Sequence, residues 1–318
     1  MRASSIWRST IARAPRLPLS SPLATFFAIA TFSTLAAQTQ TPLEVRHVIG
    51  LDGVKSQHSG KLSVQNDALS FDAGTSQAKI PIASIDDVFV GSESTRAGGK
   101  TVGVVALAAP YGTGRLLSLL LRTKVDILTV SYHDANGGAH GVIFATPKGQ
   151  AAGLQTQLRP AATHSDPPPS AAPAAAPADA KPVKLTASAI QIQPIEAGAI
   201  DIPAEFQFAI YERLIERVRR DGEFKQVFRG GDREAKAVPD LVILRTTILG
   251  FKEGSETKRE VTTVAGGTAV VVTATITKAD GSVLSNTDLT GKVRFFGENL
   301  GVTNDLAKRI AKILRESF

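Results

Sequence analysis

The sequence predicts a mixed β and α+β fold: an N-terminal β domain of about seven strands closed by one helix, then a separate α+β domain with a four- to five-stranded sheet and two helices. Three observations predict it. Residues 44–159 alternate apolar and polar side chains in short runs separated by turn residues, the mark of half-buried strands. Residues 160–183 are almost wholly Pro, Ala and small polar residues, too poor in large apolar side chains to hold a core. Residues 184–318 return to periodic patterning in the order βαββββα. At 318 residues, each flank of the Pro/Ala run exceeds the ~70–80 residues below which a core needs staples, so the flanks are expected to fold separately about a semi-rigid spacer.

Residues 1–37 carry Arg2, Arg8, Arg13 and Arg16 with no acidic residue, then the apolar run Leu23 to Leu35, then Ala36 and Ala37. That succession is the n-region, h-region and small-residue exit of a secretory signal peptide. The apolar run is shorter than the ~20 residues of a membrane-spanning helix. Cleavage is expected near Ala36 or Ala37, although Leu35 fits poorly before a cut after Ala37; an uncleaved N-terminal anchor is the alternative. Export places the chain in the periplasm or cell envelope. The chain has no Cys, which excludes thiol chemistry, Cys-ligated zinc, disulfides and a lipid anchor on an N-terminal Cys. Removing residues 1–37 lowers the net charge from +7 to +3, and residues 183–318 hold 20 Lys/Arg against 18 Asp/Glu. That balance describes a mixed, solvated surface, so nucleic acid is not an expected partner.

In the first flank, Gly60–Gln65 and Ala68–Ala73 meet at Asn66-Asp67 as a hairpin, and Ala78–Ile82 and Ser84–Gly91 supply two more strands. Val125–Asp134 and Ala139–Pro147 flank Asn136-Gly137-Gly138, a strong hairpin signal because these residues tolerate positive φ. Ala151, Leu154 and Leu158 then fall at helical spacing. Through GKLSVQNDALSF, KIPIASIDDVFVG, DILTVSYHDANGG and HGVIFATPKGQAAGLQTQL, this flank resembles the pleckstrin-homology-like (PH-like) barrels of bacteria. The resemblance implies a binding module for lipid headgroups, peptides or proteins. The first hairpin carries only Lys55 and Lys61 as basic residues, which argues against headgroup binding.

Residues 98–122 interrupt the strands with two apolar runs broken by Pro110 and glycines. The expected structure is a helical insertion, either packed on its own barrel or touching a membrane or partner; Pro110 and Arg115 argue against a spanning helix. Val104, Leu107, Leu116, Leu117 and Leu120 are its candidate contact residues, because an uncovered apolar face marks a partner surface. Gly99-Lys100-Thr101 imitates the end of a phosphate-binding loop, but Ser94 stands where that motif needs Gly.

In the second flank Val183–Ile195 alternates as a strand, Pro203 opens a helix, and Phe206, Ile210, Leu214, Ile215 and Val218 form its apolar stripe before Gly222. Glu212, Arg213, Glu216, Arg217, Arg219 and Arg220 are expected on its solvated face. Phe224–Arg229 is a short strand; Asp240–Lys252, Glu260–Lys278 and Ser282–Phe296 are long ones; Leu306, Ile310, Ile313 and Leu314 mark a closing helix. Through IPAEFQFAIYERLIERV, FKQVF, PDLVILRTTILGF, VAGGTAVVVTATITKADGSVL and LAKRIAKIL, this flank resembles the bacterial envelope family catalogued as domain-of-unknown-function 4410. The resemblance implies an envelope role and brings no functional residues with it.

No HExxH, nucleophile elbow or spaced carboxylate pair occurs, and Asp86-Asp87 point to opposite faces of one strand. His133 and His140 stand on facing strands, where two imidazoles and Asp134 could begin a metal site; simple exposure is the plainer expectation. The sequence thus predicts no catalytic, cofactor or metal residues and no cofactor. The expected function is a non-enzymatic, exported envelope module that binds or assembles with another envelope protein or a membrane surface. The alternative is an envelope hydrolase or metal-binding enzyme whose site assembles from dispersed residues.

Overall fold

Asn66 and Asp67 both adopt positive φ, 50° and 53°, and turn β2 (His58–Gln65) into β3 (Ala68–Asp72) where the sequence places the hairpin. A computed structural model of the chain describes residues 41–96, 122–159, 186–254, 267–293 and 300–318. It shows a mixed α/β fold of two large sheets and few helices. The first sheet comprises β1 (Leu43–Ile49), β2, β3, β4 (Gln77–Pro81), β5 (Ile85–Arg96), β6 (Arg122–His133) and β7 (Ala139–Pro147). Its order is β4-β3-β2-β1-β7-β6-β5, antiparallel throughout. The helix α1 (Ala151–Leu158) follows and packs on β5 and β6 through Leu154 and Leu158.

The expected barrel does not close among the described residues. β4 and β5 are the two edges of the sheet, and the short 3-10 turn Ile82–Ser84 between them carries the chain from one edge to the other without pairing them. The candidate contacts Val104, Leu107, Leu116, Leu117 and Leu120 lie outside the described residues.

The second sheet comprises β8 (Ala189–Ile192), β9 (Gln226–Arg229), β10 (Leu241–Lys252), β11 (Thr268–Lys278) and β12 (Val283–Val293), in the order β12-β11-β10-β8-β9. β8 runs parallel to both β9 and β10, so the β8-to-β9 connection must cross over, and α2 (Ala204–Asp221) is that crossover. Gly222 ends α2 at φ 73° with its N–H on Val218 O, a left-handed cap that glycine adopts without strain. The last helix, α3 (Gly301–Ser317), packs on α2, β11 and β12.

The two flanks meet in one core. Val48, Ile49, Ile127, Ile143 and Ala145 of the first sheet join Phe206, Ile210, Leu214 and Val218 of α2 and the inner residues of β10 and β11. The opposite face of the first sheet packs a second core from Leu62, Phe71, Leu128, Val130 and Phe144 with α1. β7 is therefore buried on both faces, and all described residues belong to one compact unit, Thr39–Phe318. The expectation of two separately packed bodies is not confirmed by this packing.

Glycines set the closeness of the junction. A Cβ at Gly141 of β7 would fall 2.2 Å from Phe208 Cδ1 of α2, and one at Gly50, which has φ 107°, would fall 2.0 Å from Gly141 O. The backbone after β1 thus presses on β7 while β7 presses on α2.

Candidate functional site

α2 has two buried faces. One carries the predicted stripe against the second sheet and α3; the other meets β1, β5, β6 and β7 and brings Glu212 with it. Glu212, expected on the solvated face, is 3% exposed. A carboxylate so buried needs a partner, and Arg229 at the end of β9, 4% exposed, supplies it. Arg229 Nη1 donates to Glu212 Oε1 at 2.7 Å and Nη2 to Oε2 at 3.0 Å, the two-pronged geometry of a strong charge-assisted pair. Glu212 Oε1 also accepts the Gly141 N–H at 2.9 Å, and Arg229 Nη1 also reaches Ala139 O at 3.2 Å. The ion pair from the second flank thus holds the start of β7 from the first. Burial works against the Arg229 charge, but Glu212 outweighs it and raises the pKa.

The β6–β7 turn adds to this grip. Asp134 Oδ1 accepts the N–H groups of Asn136 and Gly138 at 2.8 and 2.9 Å, which folds the tip. Across the junction, Ala139 N–H donates to Gly230 O at 2.9 Å, and Arg233 Nη2 donates to Ala135 O at 2.6 Å.

His140 lies beside the ion pair. Its ring stacks on Tyr132, with centroids 4.7 Å apart, and its Nε2–H donates to Asp134 Oδ2 at 3.0 Å. Burial, reinforced by Arg229, lowers its pKa. Burial by itself pushes Asp134 up, yet the hydrogen bond from His140 and those from the turn leave its pKa lowered. The pairing of His133 with His140 that could have begun a metal site does not occur. In the strand register Tyr132 opposes His140 and His133 opposes Ala139, so the two imidazoles face opposite sides; His133 instead meets Asp86 at 2.6 Å. Among the described residues no group of three or more His, Asp or Glu side chains is placed to hold a metal.

His47, fully buried, shapes the neighbouring loop. Its Nδ1–H donates to Lys55 O at 3.2 Å and its Nε2 accepts the Leu51 N–H at 3.1 Å, so one neutral ring ties both ends of the turn that carries Asp52. This loop and α2 enclose a cleft of about 230 Å³ lined by Asp52, Lys55, Glu212, Glu216, Arg219 and Arg229 among others. A larger groove of about 730 Å³ lies beside Glu44, Gly60, Asp72 and Thr146 and touches none of the buried ionisable residues, so the smaller cleft is the chemically richer one.

The sequence signal for this arrangement was the breadth of the apolar pattern on α2. With Phe208 and Tyr211 added, the stripe of Phe206, Ile210, Leu214, Ile215 and Val218 widens past half the circumference of the helix, and a helix so broadly apolar is covered on two sides. Nothing comparable marks Arg229, His47 or Asp52.

The two buried histidines set a pH dependence. Burial lowers the His47 pKa as it does that of His140, so each folded pKa lies below the ordinary value of 6.5. The unfolded chain then binds protons more readily than the fold. The contribution of neutral His47 and His140 to stability is complete above pH 6.5 and is lost progressively below it, towards each folded pKa. Thermal melts should show a midpoint that falls as pH drops from about 7.5 to about 5, each ring costing about 1.4 kcal/mol for every tenfold by which the fold weakens its proton affinity. A midpoint that rises over that range would contradict this assignment.

No protein-family model matches the chain, and the search of curated proteins finds no match. Among solved structures, the chain is similar to the PelC dodecamer from Paraburkholderia phytofirmans, with a TM-score of 0.33 and 13% identity, covering 43% of this chain and 93% of that one. It is also similar to a putative neuraminyllactose-binding hemagglutinin homolog from Helicobacter pylori, with a TM-score of 0.21 and 11% identity, covering 44% of this chain and 92% of that one. Likenesses this loose carry no argument about what the chain does.

Proposed function

We propose that the protein is an exported, non-enzymatic cell-envelope module that binds or assembles with another envelope component, residues 44–159 being PH-like and 184–318 resembling the domain-of-unknown-function 4410 family. The signal-like residues 1–37 support export. The observation that carries the binding role is β12, an edge strand of eleven residues with only β11 beside it among the described residues. An unpaired edge of that length is a template for an added strand. At one end the chain itself takes a group of this edge, where Lys292 N–H donates to Asp305 Oδ2 of α3 at 3.1 Å. The alternative, an envelope hydrolase or metal-binding enzyme, is favoured only by the His140–Asp134 pair, whose His140 Nδ1 stands 3.8 Å from Asp52 on the wall of the 230 Å³ cleft.

Expression of the full chain with a C-terminal tag and a photoreactive residue in place of exposed Lys292 tests the reading. The expected result is a shortened chain beginning near Ala37 in the exported fraction, crosslinked to one discrete partner. A full-length chain retained in the cytoplasm, or an exported chain that crosslinks to nothing, overturns it.

A further inference from the structure

Asp52 stands where three donor-bearing or basic side chains converge, yet it satisfies none of them closely. Its carboxylate lies 3.5 Å from Arg229 Nη2, 3.6 Å from Arg219 Nη1 and 3.8 Å from His140 Nδ1. Charge-assisted hydrogen bonds close to about 2.7–2.9 Å, so all three contacts are stretched. The mismatch extends to burial, since the Asp52 side chain is 61% exposed while those of Arg229 and His140 are 4% and 2% exposed. Two buried atoms at this place, His140 Nδ1 and Arg229 Nε, have no hydrogen-bond partner among the described residues.

We propose that the cleft between the Gly50–Ser56 loop and α2 binds a small monocarboxylic acid bearing a hydroxyl or amino group next to its carboxylate, and that Asp52 is an internal stand-in which this ligand displaces. The ligand carboxylate takes the place of Asp52 between Arg219 and Arg229. Because His140 gives its Nε2–H to Asp134, the neutral ring presents Nδ1 as an acceptor. That atom lies behind Asp52 and off the cleft wall, 3.8 Å from the Asp52 carboxylate; a second carboxylate in that place cannot satisfy it, but the adjacent O–H or N–H of a ligand that has displaced Asp52 can. The cleft of about 230 Å³ is below the ~300–1,000 Å³ of sites for drug-sized ligands, which suits an acid of a few heavy atoms. Glu212 and Glu216 on the wall disfavour multiply charged anions such as phosphate. A metal ion between His140 and Asp52 is disfavoured by the Arg229 guanidinium on the same carboxylate.

The Asp52 side chain has room to turn outward, being 61% exposed, on a turn whose backbone is closed by Val54 N–H donating to Leu51 O at 3.3 Å. His47 fastens Leu51 and Lys55 on either side and leaves the tip between them untied by its ring. Gly53 at that tip has φ 75°, and a Cβ there would meet nothing within 4 Å, so space surrounds it. The inference does not depend on where the protein resides or on the role of β12.

Calorimetric titration of the full chain with glycolate, acetate and inorganic phosphate tests it. Asp52 and Arg219 are exposed enough for their variants to fold, which melting curves verify. Asp52→Ala should bind glycolate about tenfold more tightly than the parent, because the internal competitor is gone. Acetate, which lacks the hydroxyl, should bind about fivefold more weakly than glycolate. Adding Arg219→Ala to Asp52→Ala should remove most of the gain. The proposal is overturned if Asp52→Ala binds glycolate no better than the parent, if acetate equals glycolate, or if phosphate binds more tightly than either.

Discussion

Arg229→Ala should cost the fold about 3–5 kcal/mol, the loss expected when one partner of a buried ion pair is removed and the other is left charged. Glu212 would keep only the Gly141 N–H on Oε1, and Ala139 O would lose its side-chain donor. The loss would fall on the contact between the flanks, because Arg229 and Glu212 belong to one flank and Gly141 and Ala139 to the other. Replacing both charges, as in Arg229→Met with Glu212→Leu, should recover much of the stability, since a buried pair is often no better than apolar residues of like volume. Denaturant melts of the three forms decide it. A loss below about 1 kcal/mol for Arg229→Ala is what an exposed pair such as Lys312–Glu316 would give, and would show the pair to be wet.

Leu214→Ala should cost about 2–5 kcal/mol, as a large-to-small change in a core that cannot collapse around it. Leu214 is fully buried in the core that also holds Ile127 and Ile143 of the first sheet, so the cavity would open where both flanks contribute walls. Arg217→Ala on the same helix should change stability by about 0.5 kcal/mol, because it removes only a partly exposed pair with Asp221 at 2.9 Å. Equal effects of the two substitutions would mean that the faces of α2 are assigned wrongly.

Local rules carried much of this fold into the sequence. Six of the seven strands before α1, the order β8-α2-β9-β10-β11-β12-α3, the Asn66-Asp67 turn and the Gly222 cap all rest on spacing or on a residue's own backbone preference, whereas β1 was not placed. The partners of charged side chains were not legible in the same way. Glu212 is 17 residues from Arg229 and 71 from the Gly141 N–H that it accepts, and no local pattern records contacts at such separations. Seen alone on α2, Glu212 looks like any other charge on a wet helix. Strand register decided the histidines: a period of two puts His140 opposite Tyr132, and one step along the strand sends His133 to the other face. The shared core left a faint trace in Gly141–Ala145, where GVIFA is too continuously apolar for a strand with one wet face.

Severing the chain between residues 160 and 183 tests most directly the claim that the flanks form one cooperative body. A protease site inserted there permits cleavage in the folded state, followed by size-exclusion chromatography and a thermal melt. The nicked protein should elute as a single species and unfold in one transition, held by the common core and the Arg229–Glu212 pair. Separation into two folded fragments with independent transitions would contradict it.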